Sequence, residues 1–339
     1  MALLRVTGTI PIDQFWPNGE SDADTSKVIV VAGSFEYKAP GKAFKATHVF
    51  DNAVMKGPVI TKTERKLTIR LQGIDAPELH YQVSWPKAKE YSSPAQRVKF
   101  KAANSNKLRQ NLAETATVKL GELLAPAAQA GQVKCTVTTE VEGPGDAFDM
   151  FGRFVGDIHV RVGNKNININ RWLLEQGWAY PAIYNSMQPQ EIRDVIAAAA
   201  KGRKKAQRVW QPNYSAMVGR IDWNLHYRKP SKKKKPVFVA ADDRGKVVFP
   251  KLYRRLMEWE VKKKAGMTNA NYVAFLATKK DDKCFLTAEF LQEPYAATER
   301  HFSTLLGAGS KFLRQPEDVV FKERSSKLKD ANGKEITEW

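Results

Sequence analysis

The sequence predicts an α+β protein, and three observations lead there. Stretches with alternating apolar residues recur through the first half, as in "KLTIRLQGID", where Leu67, Ile69 and Leu71 share one face. Segments with helical spacing follow, notably "QPQEIRDVIAAAAKGRKKAQRVW" and "FPKLYRRLMEWEVKKKAG". Between them lies "RKPSKKKKP", which has two prolines, six cations and no apolar residue and reads as a linker or loop tip. The expected organisation is a larger domain over residues 1–211, a basic linker over 212–237 and a smaller α+β domain over 238–339.

The strand at Lys66 sets the first problem. Gly73 marks a bulge or bend, and Pro77 cannot donate to a ladder and biases Ala76 away from helix. Pairing therefore ends with Asp75 and Glu78 on a turn, and Arg70 lies on the face opposite Ile69 and Leu71. Further on, "NRWLLEQGWAYP" reads as a short helix with Gly177 as its left-handed C-terminal residue. In the next helix the acids come first and "KGRKKAQR" last, an order that suits the helix dipole. Near the C-terminus "NYVAFLAT" and "CFLTAEFL" read as strands, and "VVFKERSSKLKDANGKEITEW" as strands with a hairpin turned at Asn332 and Gly333.

Composition points to the kind of partner. Among 339 residues, 55 Lys+Arg oppose 36 Asp+Glu, a formal charge of +19 that favours polyanions such as nucleic acid. No stretch is long and apolar enough to span a bilayer, and "MALLRVTGTIPIDQF" lacks a basic n-region and a long apolar run, so a cytoplasmic location is expected, with export by a route the sequence does not show as the alternative. Cys135 and Cys284 build neither a disulfide framework nor a metal site. His80 and His159 have no His-Asn-His or paired-cysteine context, so they build no histidine-metal motif.

Two more charged motifs stand beside the strand end. "ESDADTSKVIV" sets Asp22 and Asp24 before an apolar run, and "DMFGRFVGDIHV" sets Arg153 after a glycine at the entry to another strand. In order, "DADT", "RLQGIDAPE", "DMFGR", "LLEQGWAY" and an alanine-rich helix ending "RVW" make a set that resembles the staphylococcal nuclease (thermonuclease) family over roughly residues 4–211. That family reads D-G-D-T, R-x-x-x-x-D-x-P-E and D-x-Y-G-R.

The resemblance implies an OB-type five-stranded β-barrel with flanking helices, its strands near 4–9, 26–37, 66–74, 133–141 and 153–161. It implies a Ca²⁺-dependent phosphodiesterase that cuts DNA or RNA with little sequence specificity at the 5′ P–O bond, leaving 3′-phosphates. Asp24, Asp75 and the Ala76 carbonyl match the calcium ligands, Arg70 and Arg153 the phosphate-binding arginines, and Glu78 the carboxylate of the attacking water. Tyr180 and Tyr184 lie where family members carry substrate-contacting tyrosines, though either also suits packing, and Phe151 replaces the family tyrosine. The gap from Asp24 to Arg70 needs an insertion near 35–65, an extended hairpin, and leaves Asp51 as an alternative to Asp24. Lys232, Lys233, Lys234 and Lys235 are candidate nucleic-acid contacts by charge alone. A catalytically inactive OB-type scaffold for nucleic acid or protein is the alternative function, and the C-terminal domain is the expected place for a protein partner.

These residue types suit the chemistry. A phosphodiester gains negative charge as water attacks, so cations belong where that charge grows. Guanidiniums donate paired hydrogen bonds to phosphate oxygens that lysine cannot match. Calcium suits an all-oxygen site.

Overall fold

The computed structural model describes residues 1–211, 221–230, 236–238, 245–280, 282–308, 311–323 and 327–339. Alternation in sequence becomes alternation in burial. In β1 (Ala2–Pro11) every second residue is buried, and in β3 (Lys66–Leu71) Leu67, Ile69 and Leu71 point inward. With β2 (Thr25–Val30), β4 (Gln132–Val141) and β5 (Phe154–Val162) they close a five-stranded mixed barrel in the order β2-β3-β5-β4-β1. The β1–β4 pair runs antiparallel from Ala2↔Val141 to Pro11↔Gln132, and β3 and β5 run parallel with Ile69↔Phe154. Closure comes from Gly8↔Val30 and Thr9↔Ile29. A Cβ on Gly8 would lie 2.4 Å from the Ile29 carbonyl oxygen, so the seam needs glycine there. Leu4, Val6, Val28, Leu67, Ile69, Val137, Phe154 and Ile158 are fully buried in the core.

The OB-type barrel expectation holds, with local differences. The second strand stops at Val30, because the chain turns at Gly33 (φ +68°) before Glu36–Lys38 pairs with the start of β1. Glu36–Lys38 and Lys45–Ala46 form the short hairpin of the insertion, followed by a loop that buries Phe50, Ala53, Val59 and Ile60. The flanking helices are α1 (Pro94–Ala103), α2 (Ala113–Leu124), α3 (Ile169–Glu175) and α4 (Pro189–Lys204). Gly177 at φ +69° ends α3, its N–H donating to the Leu174 carbonyl at 2.9 Å.

The C-terminal region has its own sheet and, among the described residues, the helices α5 (Pro250–Lys264), α6 (Tyr272–Ala277) and α7 (Thr287–Gln292). Two expected strands are corrected. "NYVAFLAT" is helix α6, because Asn271 caps it through the Ala274 N–H (2.9 Å) and Tyr272, Phe275 and Leu276 fall on one buried helical face. "CFLTAEFL" divides into strand Lys283–Leu286 and helix α7. Lys283–Leu286 pairs with Val319–Phe321, which also pairs in parallel with Ile183–Tyr184. The turn at Asn332 and Gly333 forms, with Gly333 at φ +84° and a bridge between Lys329 and Glu335. One continuous core joins this region to the barrel side: Phe249 meets Tyr180 at 5.9 Å between ring centroids and stacks on Phe321 at 6.1 Å. Among the described residues no helix is long and apolar enough to cross a membrane.

Candidate active site

The site forms where β3 ends. Gly73, at φ +74°, turns the chain, and Ile74–Asp75 then pairs back against Tyr180–Pro181, with Tyr180 opposite Asp75. Arg70 sits between Thr25 of β2 and Val155 of β5, so its outward face is bordered by the other two motifs. Asp24 immediately precedes β2, and Arg153 immediately precedes β5.

Arg70 bridges two acids. Its Nη1 pairs with Asp24 Oδ2, and its Nη2 donates to Asp75 Oδ1 at 2.9 Å and to the Ile74 carbonyl at 3.0 Å. Asp24 Oδ2 also accepts the Ala76 N–H at 2.8 Å, and its Oδ1 accepts the Thr25 hydroxyl at 3.2 Å. Arg153 is clamped by Asp149 through Nε (2.7 Å) and Nη2 (2.6 Å), and its Nη1 reaches Thr25 Oγ1 at 3.5 Å. Glu78 is fixed by Gln110: its N–H donates to Gln110 Oε1 at 3.0 Å, and its carbonyl accepts the Gln110 N–H at 2.8 Å. Thus Arg70, Asp24, Asp75, Ala76 and Glu78 meet in one connected cluster, with Arg153 joined through Thr25.

Three further residues join the cluster: Asp22, noted beside Asp24 in the sequence but given no role, and Gln110 and Arg254, which the sequence reading did not single out. Asp22 accepts the Leu79 N–H at 3.1 Å. Gln110 links Glu78 to the Val248 carbonyl (2.7 Å), two residues before α5. Arg254, on α5, pairs with Asp75 at 3.0 and 3.2 Å and with Glu78. A signal for Arg254 existed: Pro250, Arg254, Met257 and Val261 follow helical spacing, and the other three are buried, so the arginine interrupts an apolar stripe.

Burial pushes Asp22 up to about 7, with the neighbouring Asp24 charge adding to it. Burial likewise pushes Glu78 up to about 7; Arg254 opposes this, while Asp22, Asp75 and Asp24 reinforce it. For Asp75, burial raises the carboxyl, but Arg254 and Arg70 outweigh it and hold it below its ordinary value. Perturbed acids of this kind cluster at functional sites, and ion-pair networks perturb acids in the same way.

The remaining candidates divide. Tyr184 belongs to the neighbourhood: burial raises its hydroxyl pKa, and the Asp75, Arg70 and Arg254 charges also act on it. Tyr180 is fully buried, its hydroxyl donating to the Val209 carbonyl at 2.9 Å, so the substrate-contact expectation gives way to packing. Asp51 pairs with Arg65 (3.2 Å) and His48 (3.1 Å), and Asp24 takes the place beside Arg70. Phe151 is 61% exposed, with the Arg153 guanidinium 5.6 Å from its ring centre. Lys232, Lys233, Lys234 and Lys235 lie outside the described residues.

The donor types suit calcium, but their arrangement does not. Both Asp75 oxygens accept guanidinium N–H groups, and Asp24 Oδ2 accepts from Arg70 and from Ala76, whose N–H faces the acid. Among the described residues no group of three or more His, Cys, Asp or Glu side chains could hold a metal ion.

The architecture is a closed five-stranded OB-type barrel with arginines paired to acids at a strand end. Residues 68–212 match the family model of the staphylococcal nuclease homologues, and the chain carries a domain of that family there. The matched segment includes Arg70, Asp75, Glu78 and Arg153 and leaves out Asp24 and Arg254. No curated protein matches the chain.

Proposed function

We propose that this protein hydrolyses phosphodiester bonds of DNA or RNA with little sequence specificity. The observation that carries the reading is the cluster itself, in which Arg70, Asp24, Asp75 and Glu78 converge with Arg153 on one outward face of the barrel. Arg70 and Arg153 bind the phosphate oxygens and stabilise the charge that develops on them. Glu78 takes the proton of the attacking water as its oxygen bonds to phosphorus. The 5′ P–O bond breaks, and the leaving oxygen takes up a proton, giving a 5′-hydroxyl and a 3′-phosphate. Burial suits Glu78 to this role, because an acid near 7 is a stronger base than one at its ordinary value. Tyr184, close enough for the Asp75 and Arg70 charges to act on its hydroxyl, is the tyrosine we assign to substrate contact.

Calcium dependence rests on the family resemblance, with Asp24, Asp75 and the Ala76 carbonyl as the proposed ligands. It requires Asp75 to exchange a guanidinium for the ion. The Arg254 contact with Glu78 and Asp75 favours a second reading, a nucleic-acid-binding barrel whose acids are held silent. Product analysis separates the two: incubating the full-length protein with end-labelled single-stranded DNA and RNA, with Ca²⁺ or EGTA, should give fragments ending in 3′-phosphate. Retarded but intact strands would support the scaffold instead.

A further inference from the structure

Arg254 lies outside the segment matched to the nuclease family, 179 positions along the chain from Asp75. Its guanidinium forks onto that acid: Nη2 donates to Oδ2 at 3.0 Å and Nη1 to Oδ1 at 3.2 Å, while Nη1 also pairs with Glu78 Oε1. The helix that carries it is firmly seated. Leu252, Tyr253, Leu256 and Met257 are buried, Arg255 forks onto Asp282 with two bonds of 2.6 Å, and Gln110 holds the Val248 carbonyl at the helix entry. This geometry is built by the C-terminal region and brings a fixed positive charge to the acids of the centre.

The consequence is electrostatic and steric. A divalent ion on Asp75 needs a carboxylate oxygen that faces it, and both Asp75 oxygens already accept N–H groups. An ion bound there beside the guanidinium would also meet a like charge in a partly water-excluded site, where repulsion is far stronger than in bulk water. We propose that Arg254 sets the divalent-cation affinity of this centre: it is itself the cation paired with Asp75 and Glu78, and a metal ion binds Asp75 only when the guanidinium withdraws. By linkage, whatever draws α5 away strengthens cation binding, and a bound cation loosens the α5 contact by the same factor. The inference rests on the reading of Asp24 and Asp75 as cation ligands.

The test is calorimetric titration of the full-length protein with Ca²⁺, comparing wild type with Arg254→Gln, Arg254→Lys and Arg255→Gln, and adding Asp75→Asn to wild type and to Arg254→Gln. Arg254→Gln should bind Ca²⁺ about tenfold or more tighter than wild type, because one unit of opposing charge and a competing donor pair are gone. Arg254→Lys keeps the charge and the buried stem but cannot fork onto both oxygens, so it should fall between them even if the glutamine variant folds poorly. Arg255→Gln, one residue along the same helix, should leave the affinity near wild type, and Asp75→Asn should remove binding in both backgrounds. Equal affinity of wild type and Arg254→Gln, with Asp75→Asn still abolishing both, would overturn the inference and leave Asp75 as a cation ligand. An equal gain in Arg255→Gln would also overturn it, since general charge would then explain the effect. Absence of Ca²⁺ binding in every variant would remove the cation-ligand reading and the inference together.

Discussion

Arg70 spans Asp24 and Asp75 with separate nitrogens, a geometry that a planar fork allows and an ammonium does not. The same bonds pair it with two buried acids, so its replacement leaves both without that partner and disturbs the fold as well as any chemistry. Arg153 separates these effects better, because its partner Asp149 is local and its side chain is 29% exposed. Arg153→Lys should lower kcat/KM by roughly 10²- to 10³-fold, the usual loss for one donor to a developing oxyanion, with little change in Tm. A steady-state comparison on one DNA substrate, with thermal unfolding alongside, checks this; unaltered kinetics would place the phosphate elsewhere. Tyr180 gives the complementary case. Tyr180→Phe leaves the Val209 carbonyl without that donor and should cost about 1–2 kcal/mol of stability, while KM for nucleic acid stays put. A large rise in KM without loss of stability would restore the tyrosine to the substrate site.

At the scale of elements, α4 shows how a helix start is tied to the barrel. Glu191 in its first turn accepts the Gln188 N–H at 2.8 Å and the Gln72 amide at 3.3 Å, and so connects α4 to the residue that follows β3. Burial pushes Glu191 up to about 7, against the Gln188 hydrogen bond that favours its charged form. The folded value is raised above the ordinary 4.5, so the protonated form is the one the fold favours. Its stabilising effect is full below the unfolded value and is lost as pH rises through the folded one. Glu191→Gln keeps an acceptor and removes the charge, so its Tm should exceed that of wild type at pH 8 and approach it at pH 4. A constant difference across that range would show that the carboxyl does not titrate there. Legibility varied among the elements for physical reasons. Strand Lys66–Leu71 was readable because one face is buried and the other is not, whereas helix α6 is a short apolar run whose one helical signal was the Asn271 cap. Likewise "CFLTAEFL" has no turn residue at the Leu286–Thr287 junction where strand gives way to helix.

Across the whole molecule, the part of the candidate cluster that was legible in sequence is the part built from local motifs. Arg70, Asp75 and Glu78 lie within nine positions of one another, and Asp24 and Arg153 carry neighbours that mark them. Gln110 and Arg254 come from distant segments and reach Glu78 only through tertiary packing; helical spacing marks Arg254 as an oddity on its stripe but does not say which acid it meets. The domain expectation meets the same limit. The Ile183–Tyr184 strand takes its partner from Val319–Phe321, and Tyr180 packs on Phe249, so the C-terminal region completes surfaces that begin in the barrel part. Central to the account is that Glu78 accepts a proton during phosphodiester hydrolysis while Arg70 and Arg153 bind the phosphate. The most direct measurement is single-turnover cleavage of a short labelled DNA by full-length wild type and by Glu78→Gln, with substrate affinity determined in parallel. The account predicts near-equal affinity and a cleavage rate lower by about 10²- to 10⁴-fold in the variant; equal rates, or no cleavage by wild type in the presence of Ca²⁺, would contradict it.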